Sequence, residues 1–192
     1  MRTKQNPDQE RAAAASVLAS DKAVEFVLGQ AETPEKFCSA LSKLFGVHLT
    51  EVALMRLEHG LLKFVLPEEL KTAGAIPVSS SSAISAQTAT TRKAAIFNRF
   101  AQTIHERVFE TVKLNPDDAS RPEVASIQKL MSAPVLELEK KVLGVIQICR
   151  KGYSLTSAGP DFALDDLRQL ELAAKVASGK PFMKEGKSSR FV

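Results

Sequence analysis

The sequence predicts an α+β fold: a central antiparallel sheet of five to six strands, helices packed on it, and an extra helix at the N-terminus. The strongest observation is a hairpin of two apolar strands, Lys129–Leu138 and Val142–Arg150, joined by the charged turn 139–141. The second strand is apolar and β-branched almost throughout, so we expect it at the centre of the sheet with both faces buried. Gly144 within it indicates a close approach by another backbone or a ligand.

Two predicted helices precede the first strands, and this succession of two helices followed by strands is the second observation. The first helix, Gln9–Leu28, is rich in alanine and stops before Gly29. The second begins at Thr33, which we expect to cap its N-terminus, with Pro34 in the first turn, and Gly46 ends it.

The remaining elements complete the order helix, two strands, mixed insertion, two strands, helix. The strands Glu51–Arg56 and Leu61–Leu66 are joined at His59-Gly60. A long crossover, Pro67–Ser126, is the third observation, because connections of this length are usually functional. An amphipathic helix, Leu164–Ala177, closes the pattern. Within the crossover the sequence predicts a helix, a short strand, a second helix and a polar loop: Ala83–Arg92, Ala95–Phe97, Thr103–Val112 and Asn115–Glu123.

The charge of the chain is concentrated at its two ends. The formal net charge is +4, of which residues 180–192 carry +3 and residues 1–11 carry +1. Residues 12–179 are therefore neutral. A nucleic-acid surface needs a clustered basic face, so we expect no nucleic-acid partner and interpret the basic ends as solvated tails.

The cysteines and the apolar runs indicate the compartment. No apolar run approaches the length of about 18 residues that spans a bilayer. Arg2 and Lys4 are followed by polar residues, which is not the pattern of a signal peptide. Cys38 and Cys149 fall in a predicted helix and in the predicted central strand, where we expect buried thiols and no disulfide. These features predict a cytoplasmic protein without a membrane partner.

Three segments together resemble a GAF domain, the small-molecule sensor module, over about residues 33–178. They are the helix before TEVALMRLE, the string IPVSSSSAISAQTATTRKAAIF, and SAPVLELEKKVLGVIQICRKG followed by FALDDLRQLELAA. The family usually has Ser or Thr as the cap of the last helix, whereas Ala163 stands there in this chain. We expect Asp161, Asp165 or Asp166 to satisfy the first turn instead.

The resemblance implies a GAF/PAS-like architecture with a ligand pocket between the sheet and the middle insertion. A mostly apolar cavity with a few polar groups suits a small molecule. The ligand is unidentified and the cofactor is unknown at this point. The pocket candidates are Met55 and Gln147 on the sheet and, from the insertion, Ser82, Phe97, Asn98, Phe100, His105 and Phe109.

Each pocket candidate also has a structural interpretation. A lone histidine such as His105 is more often hydrogen-bonded structure than a ligand or haem contact, and phenylalanines are core residues first. Asn98 could equally bind backbone in an irregular loop, and Gln147 could face the pocket or a helix. No nucleophile elbow, P-loop or metal-ligand spacing occurs, so we expect no catalytic residue and no metal site.

These observations predict a stand-alone, non-catalytic GAF-type sensory or regulatory module. It would bind a small molecule and signal to a partner protein through its terminal helices. We expect residues 1–31 to form a tail and dimerisation helix, residues 32–179 the GAF-like domain, and residues 180–192 a basic tail. The first helix is expected to pair with the last one and with its copy in a homodimer.

Two alternatives stay open at the level of sequence. One is an enzyme of the methionine sulfoxide reductase kind, although such enzymes use several cysteines in pocket loops and this chain has two cysteines in regular elements. The other is a degenerate GAF domain that mediates only protein contacts. In that case Phe97, Phe100 and Phe109 would fill the pocket.

Overall fold

The computed structural model describes residues 20–72, 74–100, 125–138 and 140–184. The strands are β1 (Val52–Glu58), β2 (Leu61–Leu66), β3 (Ala75–Pro77), β4 (Ala95–Phe97), β5 (Ser126–Leu136) and β6 (Val142–Gly152). They form one six-stranded sheet in the order β3-β2-β1-β6-β5-β4, and every neighbouring pair is antiparallel. The predicted fold class is confirmed, and β6 lies in the middle of the sheet as expected.

Four helices in the described part of the chain flank this sheet. They are α1 (residues 20–29), α2 (Pro34–Phe45), α3 (Ile84–Thr91) and α4 (Leu164–Ser178). Short 3₁₀ turns lie at Leu49–Glu51, Glu68–Leu70 and Pro181–Met183. The part of the first predicted helix before residue 20, the predicted helix Thr103–Val112 and the predicted loop Asn115–Glu123 lie outside the described residues.

The start and stop signals of the helices act as the sequence predicts. Thr33 Oγ1 accepts a hydrogen bond from the Lys36 amide at 3.3 Å, so Thr33 is the N-cap of α2. Gly46 ends the same helix with a left-handed φ of 59°. At α4, Asp166 is the residue that replaces the missing cap, because its Oδ2 accepts from the Ala163 amide at 2.7 Å.

The largest departure from the predicted strands is β3, which the sequence pattern does not indicate. It has three residues and pairs only with β2, so it is too short to show a period of two. β2 and β4 have the predicted bounds, and β1, β5 and β6 differ from prediction by a few residues at their ends. β5 begins at Ser126 instead of Lys129, because the ladder to β6 continues past a register shift near Gln128.

The sheet separates two apolar layers. Helices α1, α2 and α4 cover one face, where residues such as Phe37, Leu54, Ile146 and Leu170 form the layer we call the helix-layer core. Helix α3 covers the opposite face. Side chains along β6 therefore alternate between two buried environments, which explains why the strand is apolar almost throughout.

Gly144 fits the expectation of a close backbone approach. A Cβ at this position would collide with the Met55 carbonyl oxygen on β1 and would lie 2.6 Å from Met183 Cε. The missing side chain lets β1 and β6 run close together and lets the segment after α4 pack on the sheet.

The first and last helices lie side by side. Arg168 on α4 forms an ion pair with Asp21 on α1, and Lys180 Nζ donates to the Gly29 carbonyl oxygen at 2.6 Å. The predicted pairing of these two helices within one chain is confirmed. Val24 and Leu28 of α1 are buried in the helix-layer core, so this helix shares the core of the domain.

Candidate functional site

One face of the sheet, with the helix α3 that covers it, forms a second apolar layer that we call the α3 face. Four polar residues accompany it, each at least nine-tenths buried: Ser85 and Thr88 on α3, Ser132 on β5 and Gln147 on β6. Buried polar groups are normally hydrogen-bonded, so their partners show how the site is organised. The apolar members of the layer include Met55, Ile84, Ala86, Phe100, Leu130, Val145 and Cys149.

Three of these polar residues form a directed chain of hydrogen bonds. The Thr88 hydroxyl donates to the Ile84 carbonyl oxygen at 2.8 Å. Thr88 Oγ1 also lies 2.7 Å from Ser132 Oγ. Because the single Thr88 proton is already used, Ser132 must be the donor in this second pair. Ser132 Oγ in turn accepts from Gln147 Nε2 at 3.3 Å, so the chain runs from Gln147 to Ile84.

The open end of this chain is the carboxamide oxygen of Gln147. Gln147 lies between Ala53 and Ser132 in the register of the sheet and is only 7% exposed. No described residue donates a hydrogen bond to its Oε1. The oxygen is not fully enclosed, since the enclosed side-chain atoms without a partner in the described residues are Thr50 Oγ1 and Arg150 Nε. A ligand that reaches this oxygen can therefore donate a hydrogen bond to it in place of water.

The structure brings several of the predicted pocket residues together on the α3 face. Met55, Phe100 and the half-buried Phe97 belong to the same apolar layer, on the side of the sheet to which Gln147 points. Ser82 is half-buried just before α3, where its Oγ lies 3.2 Å from Ser80 Oγ. His105 and Phe109 lie outside the described residues.

Asn98 lies apart from this group. Its Nδ2 donates to the Phe162 carbonyl oxygen at 3.0 Å, and its Oδ1 accepts from the Phe162 amide at 2.9 Å. The Phe162 ring belongs to the helix-layer core and lies beneath the Arg150 guanidinium. Asn98 therefore binds backbone, which is one of its two predicted interpretations. It does so because it follows the edge strand β4 and faces the segment that leads into α4.

Sequence reasoning missed Ser132, Thr88 and Ser85. Ser132 had a detectable signal, since it is a polar residue within the apolar run of β5. Thr88 had none, because its hydrogen bond to Ser132 joins residues 44 positions apart. Only the packing of α3 on the sheet reveals that pair.

The two cysteines lie on opposite faces of the sheet. Cys38 belongs to the helix-layer core and Cys149 to the α3 face, and neither forms a disulfide. Burial raises the pKa of Cys38 to about 12, so its thiol is protonated at neutral pH. The expectation of buried thiols without a disulfide is confirmed. The intervening sheet also prevents either cysteine from forming a disulfide with the other during a redox cycle.

The described residues contain no group of three or more His, Cys, Asp or Glu side chains that could hold a metal ion. None of the described helices has both the length and the apolar character needed to cross a membrane.

Comparison with known proteins gives matches at the level of structure only. No protein-family model and no curated protein matches the sequence. The GAF domain of a phosphoenolpyruvate-protein phosphotransferase from Acinetobacter aligns with a TM-score of 0.59 at 13% identity, over 84% of this chain and 90% of that chain. The nlh2 GAF domain of A. aeolicus in an inactive state gives 0.54 at 10% identity, over 86% and 94%.

An enzyme is also among the similar structures. The reduced form of fRMsr of Staphylococcus aureus aligns with a TM-score of 0.51 at 16% identity, over 84% of this chain and 92% of that chain. At identities this low the structural alignments establish the fold alone, and the activity must be argued from the site. The arrangement of six strands and the helices on both faces agrees with these structures, and the chain has the GAF-domain fold.

Proposed function

We propose that this chain is a non-catalytic sensory or regulatory domain that binds a small, uncharged molecule on the α3 face. The observation that carries this proposal is the open acceptor Gln147 Oε1 at the end of the internal hydrogen-bond chain. The two buried thiols, which form no disulfide, support the proposal of a reducing, cytoplasmic environment.

The chemistry of the α3 face favours a neutral ligand. The polar groups of the chain from Gln147 through Ser132 to Thr88 carry no charge. Apolar side chains such as Met55 and Val145 surround them. A charged molecule would lose its hydration there without meeting an opposite charge in this chain of groups. An N–H or O–H group of a neutral molecule would instead satisfy Gln147 Oε1.

The terminal helices are the proposed route of the signal. Ile146 and Ile148 flank Gln147 on β6 and pack into the helix-layer core. That core includes residues of α1 and α4, which are also joined by the Asp21–Arg168 ion pair. A change in β6 on ligand binding would therefore reach both helices, a second copy of the chain in a homodimer, and a signalling partner.

Reductase activity is the second candidate function, favoured by the position of Cys149 on the same face as Gln147. Reduction of a sulfoxide by a cysteine leaves a sulfenic acid that a second thiol must resolve. Cys38 lies on the other face of the sheet and cannot reach a sulfenic acid on Cys149. A thiol from outside the protein would therefore have to resolve that sulfenic acid. Methionine sulfoxide turnover with dithiothreitol that disappears in Cys149→Ala would establish this activity, and we expect no turnover.

A domain that only mediates protein contacts is the third candidate. It is favoured by Phe100, which is almost fully buried in the apolar layer of the α3 face and occupies space there. It differs from the leading proposal in having no small-molecule ligand.

Native mass spectrometry of gently purified protein would test the leading proposal. We expect an extra mass that is lost on denaturation, is absent from Gln147→Met, and is retained by Gln87→Met. Gln87 is the matched control because it is an exposed glutamine on α3 whose side chain donates to the Ser81 carbonyl oxygen. An adduct of equal occupancy in wild type and Gln147→Met would contradict the proposed site. No adduct in any of the three proteins would favour a domain that only mediates protein contacts.

A further inference from the structure

A groove of about 870 Å³ runs between α1 and α2, on the side of the molecule opposite the α3 face. Its apolar lining includes Ala23, Val24, Val27, Ala40, Leu44 and Leu49. Val27 is 56% exposed and Leu49 is 49% exposed. Large apolar side chains gathered on one exposed surface mark an interaction site.

The sequence before α1 limits what can fill this groove. Residues 1–19 join the described structure at Ser20, which itself lines the groove. No glycine or proline occurs between Asp8 and Leu28. Without these two strongest turn formers, the helix predicted for Gln9–Leu28 is uninterrupted, so we expect the preceding residues to continue away from the groove and not to fold back into it. A second copy can approach without such a reversal.

We propose that the groove binds residues 9–19 of a second copy, running antiparallel to α1 about a two-fold axis near Ser20. In this pairing Ala13 and Val17 of the second copy stand opposite Val27 and Ala23 of the first. Residues four apart lie on one face of a helix, so both contacts form together if residues 9–19 are helical, as the sequence predicts. The small side chains of the run 12–15 (AAAA) permit a short distance between the helix axes.

The charges at the rim of the groove suit the same orientation. Lys36 and Lys43 of α2 line the groove together with Glu35. Because α1 and α2 are joined by the short connection 30–33, they form an antiparallel hairpin, and a segment antiparallel to α1 runs parallel to α2. Glu10 of the second copy then lies near Lys36, where α2 begins. Two-fold symmetry forms each contact twice.

This inference rests on the homodimer of the proposed function and is independent of the ligand site. The substitution Ser20→Cys tests it directly, because a residue beside the two-fold axis meets its own copy within disulfide range. We expect the oxidised variant to run as a covalent dimer in non-reducing electrophoresis. Gln87→Cys, an exposed control on α3, should run at the mass of a single chain in the same non-reducing electrophoresis. The two native cysteines are buried.

Light scattering would test the same surface without a cross-link. The full chain should be a dimer, whereas deletion of residues 1–19 and the substitution Val27→Glu should each give a monomer that still unfolds in urea in one cooperative transition. The deletion stops at residue 19 because Val24 and Leu28 belong to the core.

A monomeric full chain, a dimer that survives the deletion, or a dimer in which Ser20→Cys fails to cross-link would overturn the inference. The mass of a bound ligand is measured separately by native mass spectrometry. Failure of the dimer and failure of the ligand site are therefore distinguishable.

Discussion

Replacement of Gln147 by methionine would test whether its carboxamide serves a ligand or the fold. Methionine is similar in length and flexibility but has no amide group. We expect the free energy of unfolding of ligand-free Gln147→Met to lie within about 1 kcal/mol of that of the wild type.

The expected magnitude follows from two opposing changes in hydrogen bonding. The substitution removes one hydrogen bond to Ser132, which is 3.3 Å long and contributes about 0.5–1.5 kcal/mol at most. It also removes a carboxamide oxygen to which no described residue donates, which offsets part of that loss; the gain is small because this oxygen is not fully enclosed. The two changes nearly cancel.

Gln128 provides a matched control on the neighbouring strand. It is also 7% exposed. Its Nε2, however, donates both to Ser126 Oγ at 2.8 Å and to the Gly152 carbonyl oxygen at 3.0 Å. Gln128→Met would leave the buried Gly152 carbonyl without this donor, so we expect it to lower the free energy of unfolding by about 2 kcal/mol.

Urea unfolding of the three ligand-free proteins, followed by circular dichroism, would measure both differences by linear extrapolation. A loss of about 2 kcal/mol in Gln147→Met, equal to that in Gln128→Met, would refute the reasoning. It would mean that the fold already satisfies Gln147 and that the residue is structural. Ligand binding should respond in the opposite order, being lost in Gln147→Met and retained in folded Gln128→Met.

Three further predictions concern stability. Gly144→Ala should lower the free energy of unfolding by about 3 kcal/mol in urea titrations, because its Cβ collides with backbone. Gly29→Ala, with nothing within 4 Å, should change it by less than about 1 kcal/mol. Hydrogen bonds, first from Lys63 and also from Arg56, lower the pKa of Glu58; its stabilisation is present above about pH 4.3 and lost in more acidic solution. Acid titration of Glu58→Gln should be less steep there, and an equal slope would contradict this. Burial raises the pKa of Cys38 to about 12, so stability falls as the pH rises above about 8.5, and Cys38→Ala should lack that alkaline loss.

The fold was largely predictable from sequence because its signals are local. The β5–β6 hairpin, the Thr33 cap and the Gly46 stop each act within a few residues, and each occurs in the structure as expected. β3 was not predictable, because three residues at a sheet edge carry no period. Its position is fixed by pairing with β2, which the local sequence does not encode.

The candidate site was less predictable because its geometry depends on contacts between distant segments. Gln147 could be identified as a buried polar residue in an apolar strand. Which face it occupies follows from strand alternation only after the positions of Val145 and Cys149 are known. Asn98 shows the reverse problem, since its type suits a pocket rim but its partner is the backbone of Phe162, 64 residues away.

One strand connects the two surfaces for which we propose functions. Gly144 and Gln147 are three residues apart on β6, about 10 Å at the rise of a strand. Met183 packs against Gly144 on the helix-layer side, and Lys180 in the same segment holds the Gly29 carbonyl at the end of α1. A ligand that shifts β6 at Gln147 therefore displaces a segment already bonded to α1. Since α1 forms one wall of the groove, ligand binding should change the dimer dissociation constant, and by linkage the dimer should bind the ligand with a correspondingly altered affinity.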